Sequence, residues 1–443
     1  MVKSSRMNRT STTEGQAFAS PVARRQRAQL WWSLTGLTWI GGAYALGLWF
    51  QREQWVTHQF PLTILWCVLP YLLASHWLYS GAGLPISERV GLLVVTTGMP
   101  FLLTPLGFAL LQQPYSRGAV VLVYGLSLLW FALGERRHRR LHVPRLACLD
   151  ASVPERLDGL LGATVFPQGS VELVAWPGER HPPVPDLSDL DGVVVDSSAA
   201  GSEARSELLS QLKLGHVRLY SVNSLAEMLT GRKLLPSDEN ELWQLDGNPA
   251  YDVVKRLLDV TAVILSTPVW LPLCLLVALA VRLDSPGPAL FSQQRVGLNG
   301  RSFRLWKFRS MTHAPVPESA RFAQRDDPRI TRLGRFIRRT RLDELPQLWN
   351  VLIGDMSLIG PRPEQVQFVE SFARRIHAYP YRHLVRPGLT GWAQVLQGYA
   401  GDTEETAVKL SYDLYYVAHY SAALDLLIAY KTVRIVFGGF GAR

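Results

Sequence analysis

The chain has 443 residues, 48% of them hydrophobic and only 19% charged, with a formal net charge of +10. The length allows two or three domains, and the clustering of the apolar residues excludes an ordinary soluble protein. Cys67, Cys148 and Cys274 lie far apart without CxxC or Cys/His spacing and read as reduced structural residues. The basic charge comes with no nucleic-acid-binding signature, so nucleic acid is not an expected partner.

Residues 1–29 are a polar, basic tail carrying Lys3, Arg6, Arg9, Arg24, Arg25 and Arg27. The apolar run 30–50 is too long for the core of a signal peptide, and further runs follow at 60–79, 90–111 and 118–134. They predict four transmembrane helices within residues 30–140. Positive charge collects in the tail and at Arg136, Arg137, Arg139 and Arg140, while the loops between runs hold one Arg each. Both ends of the four-helix region are therefore expected in the cytoplasm.

Residues 141–235 read as a small α/β module. "DLDGVVVDSS" predicts a buried strand near 192–196, "SEARSELLSQLKLG" a helix over 202–215 stopped by Gly215, and "HVRLYSV" a strand over 216–222. The module lacks a GxGxxG loop, which argues for a structural or regulatory unit over a dinucleotide site. Residues 236–250 are polar and turn-rich, a linker.

The next stretch, "VTAVILSTPVWLPLCLLVALAV" (260–281), has no charge in 22 residues. As a straight helix it would measure about 33 Å, enough to cross a hydrocarbon core of about 30 Å. A fifth span would place residues 282–443 outside the cell, although 295–345 alone carry 13 Lys/Arg against five Asp/Glu. Pro268 and Pro272 each remove a backbone donor and crowd the preceding turn, while the Ser266 and Thr267 hydroxyls can bond nearby carbonyls. Lys255, Arg256 and Asp259 precede the run and Arg282 and Asp284 follow it. Both flanks can then sit at one headgroup layer, and a re-entrant helical hairpin kinked at Ser266-Thr267-Pro268 is expected.

Three clusters carry chemistry. In "RVGLNGRSFRLWKFRSM" (295–311), Arg295, Arg304, Lys307 and Arg309 alternate with aromatic and apolar residues. This suits either an edge strand or an anion- or membrane-facing one. In "DDPRITRLGRFIRRTRLDELPQLWNVLIGDMSLIGPRP" (326–363), Asp343 and Glu344 are adjacent carboxylates just before Pro346 and a helix. Arg335, Arg338, Arg339 and Arg341 stand upstream. A carboxylate pair at a helix start is ordinarily a cap, but it can also hold Mg²⁺, and an Asp can attack phosphorus. Asp326 and Asp327 are a turn or a second metal site. In "VRPGLTGWAQVLQGYAGDTEET" (385–406), Gly388, Gly391, Gly398 and Gly401 imply tight turns near the site. Residues 411–437 read as an interfacial amphipathic helix.

Residues 251–443 resemble the bacterial sugar transferase domain of monotopic phosphoglycosyl transferases. The likeness rests on "KRLLD", the Pro-kinked run, "RLDSPGPALFSQQRVGLNGRSFRLWKFRSM", the long motif ending in "GPRP", and "RPGLTGWAQV". The whole chain resembles the larger members of the undecaprenyl-phosphate glucose or galactose phosphotransferase type, with "AEMLTGR" (226–232) matching the end of their central module. The implied fold is membrane α plus α/β: four N-terminal transmembrane helices, a small Rossmann-like module, and a C-terminal catalytic domain with a re-entrant membrane helix.

The implied reaction moves a sugar 1-phosphate from a UDP-sugar to undecaprenyl phosphate and releases UMP. It would begin exopolysaccharide, capsule or O-antigen repeat units at the cytoplasmic face of the bacterial inner membrane. By resemblance Asp343 is the nucleophile and Glu344 its metal- or proton-handling partner, both binding Mg²⁺. Arg338 matches a phosphate-binding arginine, with Lys307, Arg309 and Arg362 as further phosphate candidates. Membrane lipid, a second copy of the chain and downstream glycosyltransferases are the other partners implied. Thr267-Pro268 replaces the usual Ser-Pro at the kink, and "LQGYAGDTEET" replaces the usual Asn-Gly continuation, which leaves the sugar open. The alternatives are a catalytically silent membrane scaffold and a nicotinamide-dependent membrane enzyme, the latter disfavoured by the missing glycine loop.

Overall fold

A computed structural model describes residues 30–42, 59–80, 89–110, 112, 117–139, 145–161, 171–176, 190–196, 202–235, 245, 247–312, 329–397 and 403–438. The chain divides into one unit of residues 1–39 and 134–225 and another of residues 40–133 and 226–443.

Helices α1 (30–42), α2 (Gln59–Ser80), α3 (Arg89–Leu110) and α4 (Arg117–Arg139) fall on the four apolar runs. Residues 43–50 of the first run lie outside the described residues. Within the second unit α2, α3 and α4 pack together. Tyr71 stacks on Phe131 at 5.1 Å, Phe101 meets Tyr124 at 5.6 Å, and Thr104 Oγ1 donates to the Trp66 carbonyl at 3.3 Å. Leu69, Leu72, Leu106, Val121, Leu122 and Leu129 face outward.

The first unit holds a parallel sheet in the order β2-β1-β3-β4: β1 (Arg145–Cys148), β2 (Glu172–Ala175), β3 (Gly192–Val195) and β4 (Leu219–Ser221). Helices α5 (Val153–Leu161) and α6 (Glu203–Leu214) connect the strands, and Leu208 and Leu212 of α6 press on Ala147 and Val193. Ser202 caps α6 by accepting from the Arg205 N–H, and Gly215 ends it. In such sheets ligands bind at the carboxyl ends of the strands where the order reverses, here β1 and β3. That place is filled by the protein itself. Arg205 donates to Asp150 at 3.0 Å and to the Asp196 carbonyl at 2.7 Å, and Arg156 pairs with Asp196 at 2.6 Å.

After a short helix α7 (Val222–Thr230), at which the first unit gives way to the second, α8 (Pro249–Asp284) is one uninterrupted helix. The run expected to form a re-entrant hairpin kinked at Ser266-Thr267-Pro268 is helical throughout, with both prolines accommodated within the helix. Hydroxyls brace the turn before Pro268, as Ser266 Oγ donates to the Ala262 carbonyl at 2.8 Å and Thr267 Oγ1 to the Val263 carbonyl at 3.0 Å. The Trp270 indole reaches the same Val263 oxygen at 3.1 Å. Arg256, Val263, Trp270 and Val277 recur every seven residues, two helical turns, and form the face turned to the domain. Val263 packs on Phe303, Leu305, Leu348, Val351 and Met356, whereas Val277 and Val281 pack on Phe308 and Ile337. Both halves of α8 thus lie against the same body. The opposite face exposes Leu257, Ile264, Leu265, Val269, Leu275, Leu276, Leu279 and Leu283. Helix α8 is long and apolar enough to cross a membrane, and only 11% of its most apolar window is buried.

The hairpin β5 (Leu290–Val296) and β6 (Ser302–Phe308) follows, then α9 (Arg332–Arg339), α10 (Gln347–Ile353), β7 (Ser357–Ile359), α11 (Val366–Arg375), β8 (Gly388–Thr390), α12 (Trp392–Leu396), α13 (Thr403–His419) and α14 (Ala422–Gly438). Strands β7 and β8 pair in parallel. Their approach requires glycine, because a Cβ on Gly388 would stand 2.0 Å from the Gly360 nitrogen and one on Gly391 2.1 Å from the Gly360 oxygen. Gly398 and Gly401 lie outside the described residues. The expected interfacial helix over 411–437 is instead two helices that build a core. Tyr415, Tyr416, Leu424, Leu427 and Ile428 are buried with Trp392. The charge that suggests an interface, Asp425, is buried in an ion pair with Lys255 and accepts from Tyr251 and Tyr416, each at 2.7 Å. Helix α14 also meets α3, where a Cβ on Gly91 would lie 3.1 Å from Leu427.

Candidate active site

Helix α9 ends at Thr340, and the chain turns through Arg341, a left-handed residue at φ 59°. Asp343 and Glu344 then sit in a 3-10 turn, Leu342–Glu344, with Pro346 as the cap of α10. The expectation of a dyad at a helix N-terminus is corrected by one turn. The carboxylates precede a helix of only seven residues, and cations hold Glu344 in place of free helical N–H groups. Asn350, fully buried on α10, fixes this helix to β6. Its amide donates to the Arg304 carbonyl at 2.8 Å and its oxygen accepts from the Trp306 N–H at 3.2 Å. That lock brings Lys307 of β6 to the dyad.

The two carboxylates have opposite surroundings. Glu344 Oε1 receives Arg362 at 2.7 Å, Lys307 at 3.2 Å and Arg341 at 3.6 Å. Burial alone would raise its pKa, but Arg362, Lys307 and Arg341 together hold the carboxyl far below the usual range. Asp343 is equally buried, yet its carboxylate takes no hydrogen bond or ion pair from the described residues. Burial, then the charge of Glu344, raises its pKa, and Lys307, Arg341 and Arg338 offset part of that rise. Lys307 is itself pushed down by burial. A pair driven apart in this way holds one carboxylate charged while the other takes up a proton more readily.

Arg362 is held from behind. The buried Arg382 donates to its carbonyl at 3.0 Å and pairs with the equally buried Asp413 at 2.6 Å. Next to it, Glu364 binds Lys409 at 2.6 Å and Arg295 at 3.7 Å. Arg382, Asp413 and Glu364 are not among the residues that the motifs single out. Their partners lie tens of residues away, and the one available signal is an acid beside the arginine in "GPRPEQ". Arg338 anchors its Nε on Ser310 at 2.7 Å, and among the described residues the two terminal nitrogens of its fork take no hydrogen bond. Arg309 is a correction: it is no phosphate ligand, because it is buried with its guanidinium on the Val281, Ser285 and Pro286 carbonyls that end α8. Gly287, at φ 119°, makes room for it. Ser266, Thr267 and Pro268 lie in the middle of α8, in the role of a brace.

The fit for Mg²⁺ is one-sided. Among the described residues no three His, Cys, Asp or Glu side chains come together as a metal group, and Asp326 and Asp327 lie outside them. Glu344 does not suit a divalent ion, since three cations already surround it. Asp343 does suit one, and Mg²⁺ is commonly bound by one carboxylate plus substrate phosphates.

Comparison with known proteins identifies the family. The family described as bacterial sugar transferase matches residues 250–439. A UDP-N-acetylgalactosamine-undecaprenyl-phosphate N-acetylgalactosaminephosphotransferase of Aeromonas hydrophila is 40% identical over 381 residues, covering 84% of this chain and 86% of its own. A UDP-glucose:undecaprenyl-phosphate glucose-1-phosphate transferase of Escherichia coli is 42% identical over 203 residues, 43% of each chain. A like-named enzyme of Caulobacter vibrioides is 46% identical over 187 residues, 42% of this chain and 70% of its own. With a relative this similar along most of its length, the chain belongs to the bacterial sugar transferase family and is a phosphoglycosyl transferase.

Proposed function

We propose that the protein transfers a sugar 1-phosphate from a UDP-sugar to undecaprenyl phosphate through Asp343, as the first step of a polysaccharide repeat unit. The observation that carries this is the contrast within the dyad, Glu344 enclosed by three cations and Asp343 left unbonded among the described residues. An Asp343 oxygen attacks the β-phosphorus, the bond to the bridging oxygen breaks, and UMP leaves with that oxygen. An oxygen of undecaprenyl phosphate then attacks the same phosphorus and frees the carboxylate. Glu344 keeps Lys307 and Arg362 in place. The fork of Arg338 binds phosphoryl oxygens. Mg²⁺, when bound, would neutralise charge on the diphosphate, and Asp343 is the residue available to it.

The two-step route fits one soluble and one lipid substrate. The exposed apolar face of α8 supports insertion into one leaflet. Contacts of both its halves with a single body support a re-entrant rather than a crossing helix. We further propose that α1–α4 span the inner membrane with both ends in the cytoplasm, the catalytic domain on that side. The relative covering 84% of this chain is named for N-acetylgalactosamine, so that UDP-sugar is the first donor to offer. The test supplies purified protein with Mg²⁺, undecaprenyl phosphate and a panel of UDP-sugars. UMP release with at least one sugar is the expected result, and a phosphosugar mass on the Asp343 peptide should appear when the lipid is withheld. No release with any donor would support the silent scaffold instead.

A further inference from the structure

We infer that Arg341 is a ligand of the donor's diphosphate, resting on Glu344 only until a nucleotide arrives. The inference builds on the UDP-sugar reading of the site. The first observation is conformational. Arg341 lies just past the end of α9 in the left-handed region, at φ 59° and ψ 15°. Glycine or asparagine is the ordinary occupant of such a position, because a Cβ is crowded there. Its backbone donates to the Arg338 carbonyl at 3.2 Å and accepts from the Glu344 N–H at 3.1 Å. Glycine would make both bonds without strain. The turn therefore gives no reason for an arginine, and a side chain kept where the backbone disfavours it points to work done by the side chain.

The second observation is placement. Three cations share Glu344 Oε1, and Arg341 is the most distant, at 3.6 Å against 2.7 Å for Arg362 and 3.2 Å for Lys307. It is also the outermost, with 49% of its side chain exposed against 28% and 22%. Glu344 can release it and still keep two nearer partners. The third observation is elimination. Arg309 is bound to the end of α8, and Lys307 and Arg362 are held by Glu344. Arg338 and Arg341 remain, and the charges of both reach Asp343. When Asp343 takes the β-phosphoryl group, charge grows on the α-phosphate of the departing UMP. A guanidinium moving from Glu344 to that phosphate would stabilise it.

UDP is the probe, titrated by calorimetry into the full-length protein in lipid nanodiscs. Arg341→Gly should weaken UDP about tenfold, the worth of one lost charge-assisted bond. It should leave the melting temperature unchanged or higher, since the left-handed strain is relieved. Arg341→Lys should recover part of the affinity, and Arg335→Ala, which removes an exposed arginine from the neighbouring helix, should stay within about twofold of the parent. Parental affinity in Arg341→Gly would overturn this inference and leave the transferase reading standing. No UDP binding by the parent protein would remove both.

Discussion

The α/β module and the dyad each gather buried carboxylates and arginines, and they differ in whether the charges close. At the carboxyl ends of β1 and β3, Asp150 and Asp196 meet Arg205 and Arg156, and each acid has an arginine of its own. At the dyad, three cations converge on Glu344, and Asp343 receives none among the described residues. A closed set of buried ion pairs holds a fold in register and leaves nothing for a ligand. An unbalanced set keeps one carboxylate desolvated without a cation of its own, which costs stability and, in the proposed mechanism, holds the nucleophile ready.

The largest effect should separate the two places. Asp343→Asn should lower UMP release by at least about a thousandfold while the melting temperature holds or rises, because an uncompensated buried carboxyl is removed. Asp150→Asn should do the reverse, keeping turnover within about twofold while the α/β module melts at lower temperature, since Arg205 is left without its partner. Equal loss of turnover in both variants would break the comparison. Next in size, Arg362→Lys keeps the charge beside Glu344 but loses the planar fork, and kcat should fall about tenfold. An unchanged kcat would show that charge alone positions Glu344.

The smallest effect concerns pH. In the proposed mechanism Asp343 must be ionised to attack, and its pKa is raised by burial and by the charge of Glu344. The acid limb of kcat/KM should therefore lie above the ordinary aspartate range of about 4. In Glu344→Gln the neighbouring negative charge is gone and Lys307 and Arg362 are released toward Asp343. Both changes lower the Asp343 pKa, so the limb should move to lower pH even though the rate at its plateau falls. A limb that stays in place would show that Asp343 does not titrate in that range.

Much of the catalytic domain is legible in the amino-acid sequence. Strand β6, helix α10 and the adjacent carboxylates follow from motifs in which alternation and the Pro346 start signal agree with the final fold. The α/β module's third strand and its following helix are also readable, through "GVVV", Ser202 and Gly215. Two expectations fail for one reason. Arg309 and the 411–437 helix rest on local charge, and each is decided by a distant partner. These partners are the end of α8 for Arg309 and Lys255 for Asp425.

The sequence by itself determined the apolar runs, the family motifs and the adjacency of Asp343 and Glu344. These depend on composition and on short spacings, which the chain carries openly. Only the tertiary structure decided which carboxylate is paired and which is left alone. Lys307 comes from a strand 37 residues away from Glu344 and Arg362 from a loop 18 residues away, and no local pattern says that both choose Glu344. The difference between two neighbouring acids, on which the proposed chemistry rests, is a property of packing.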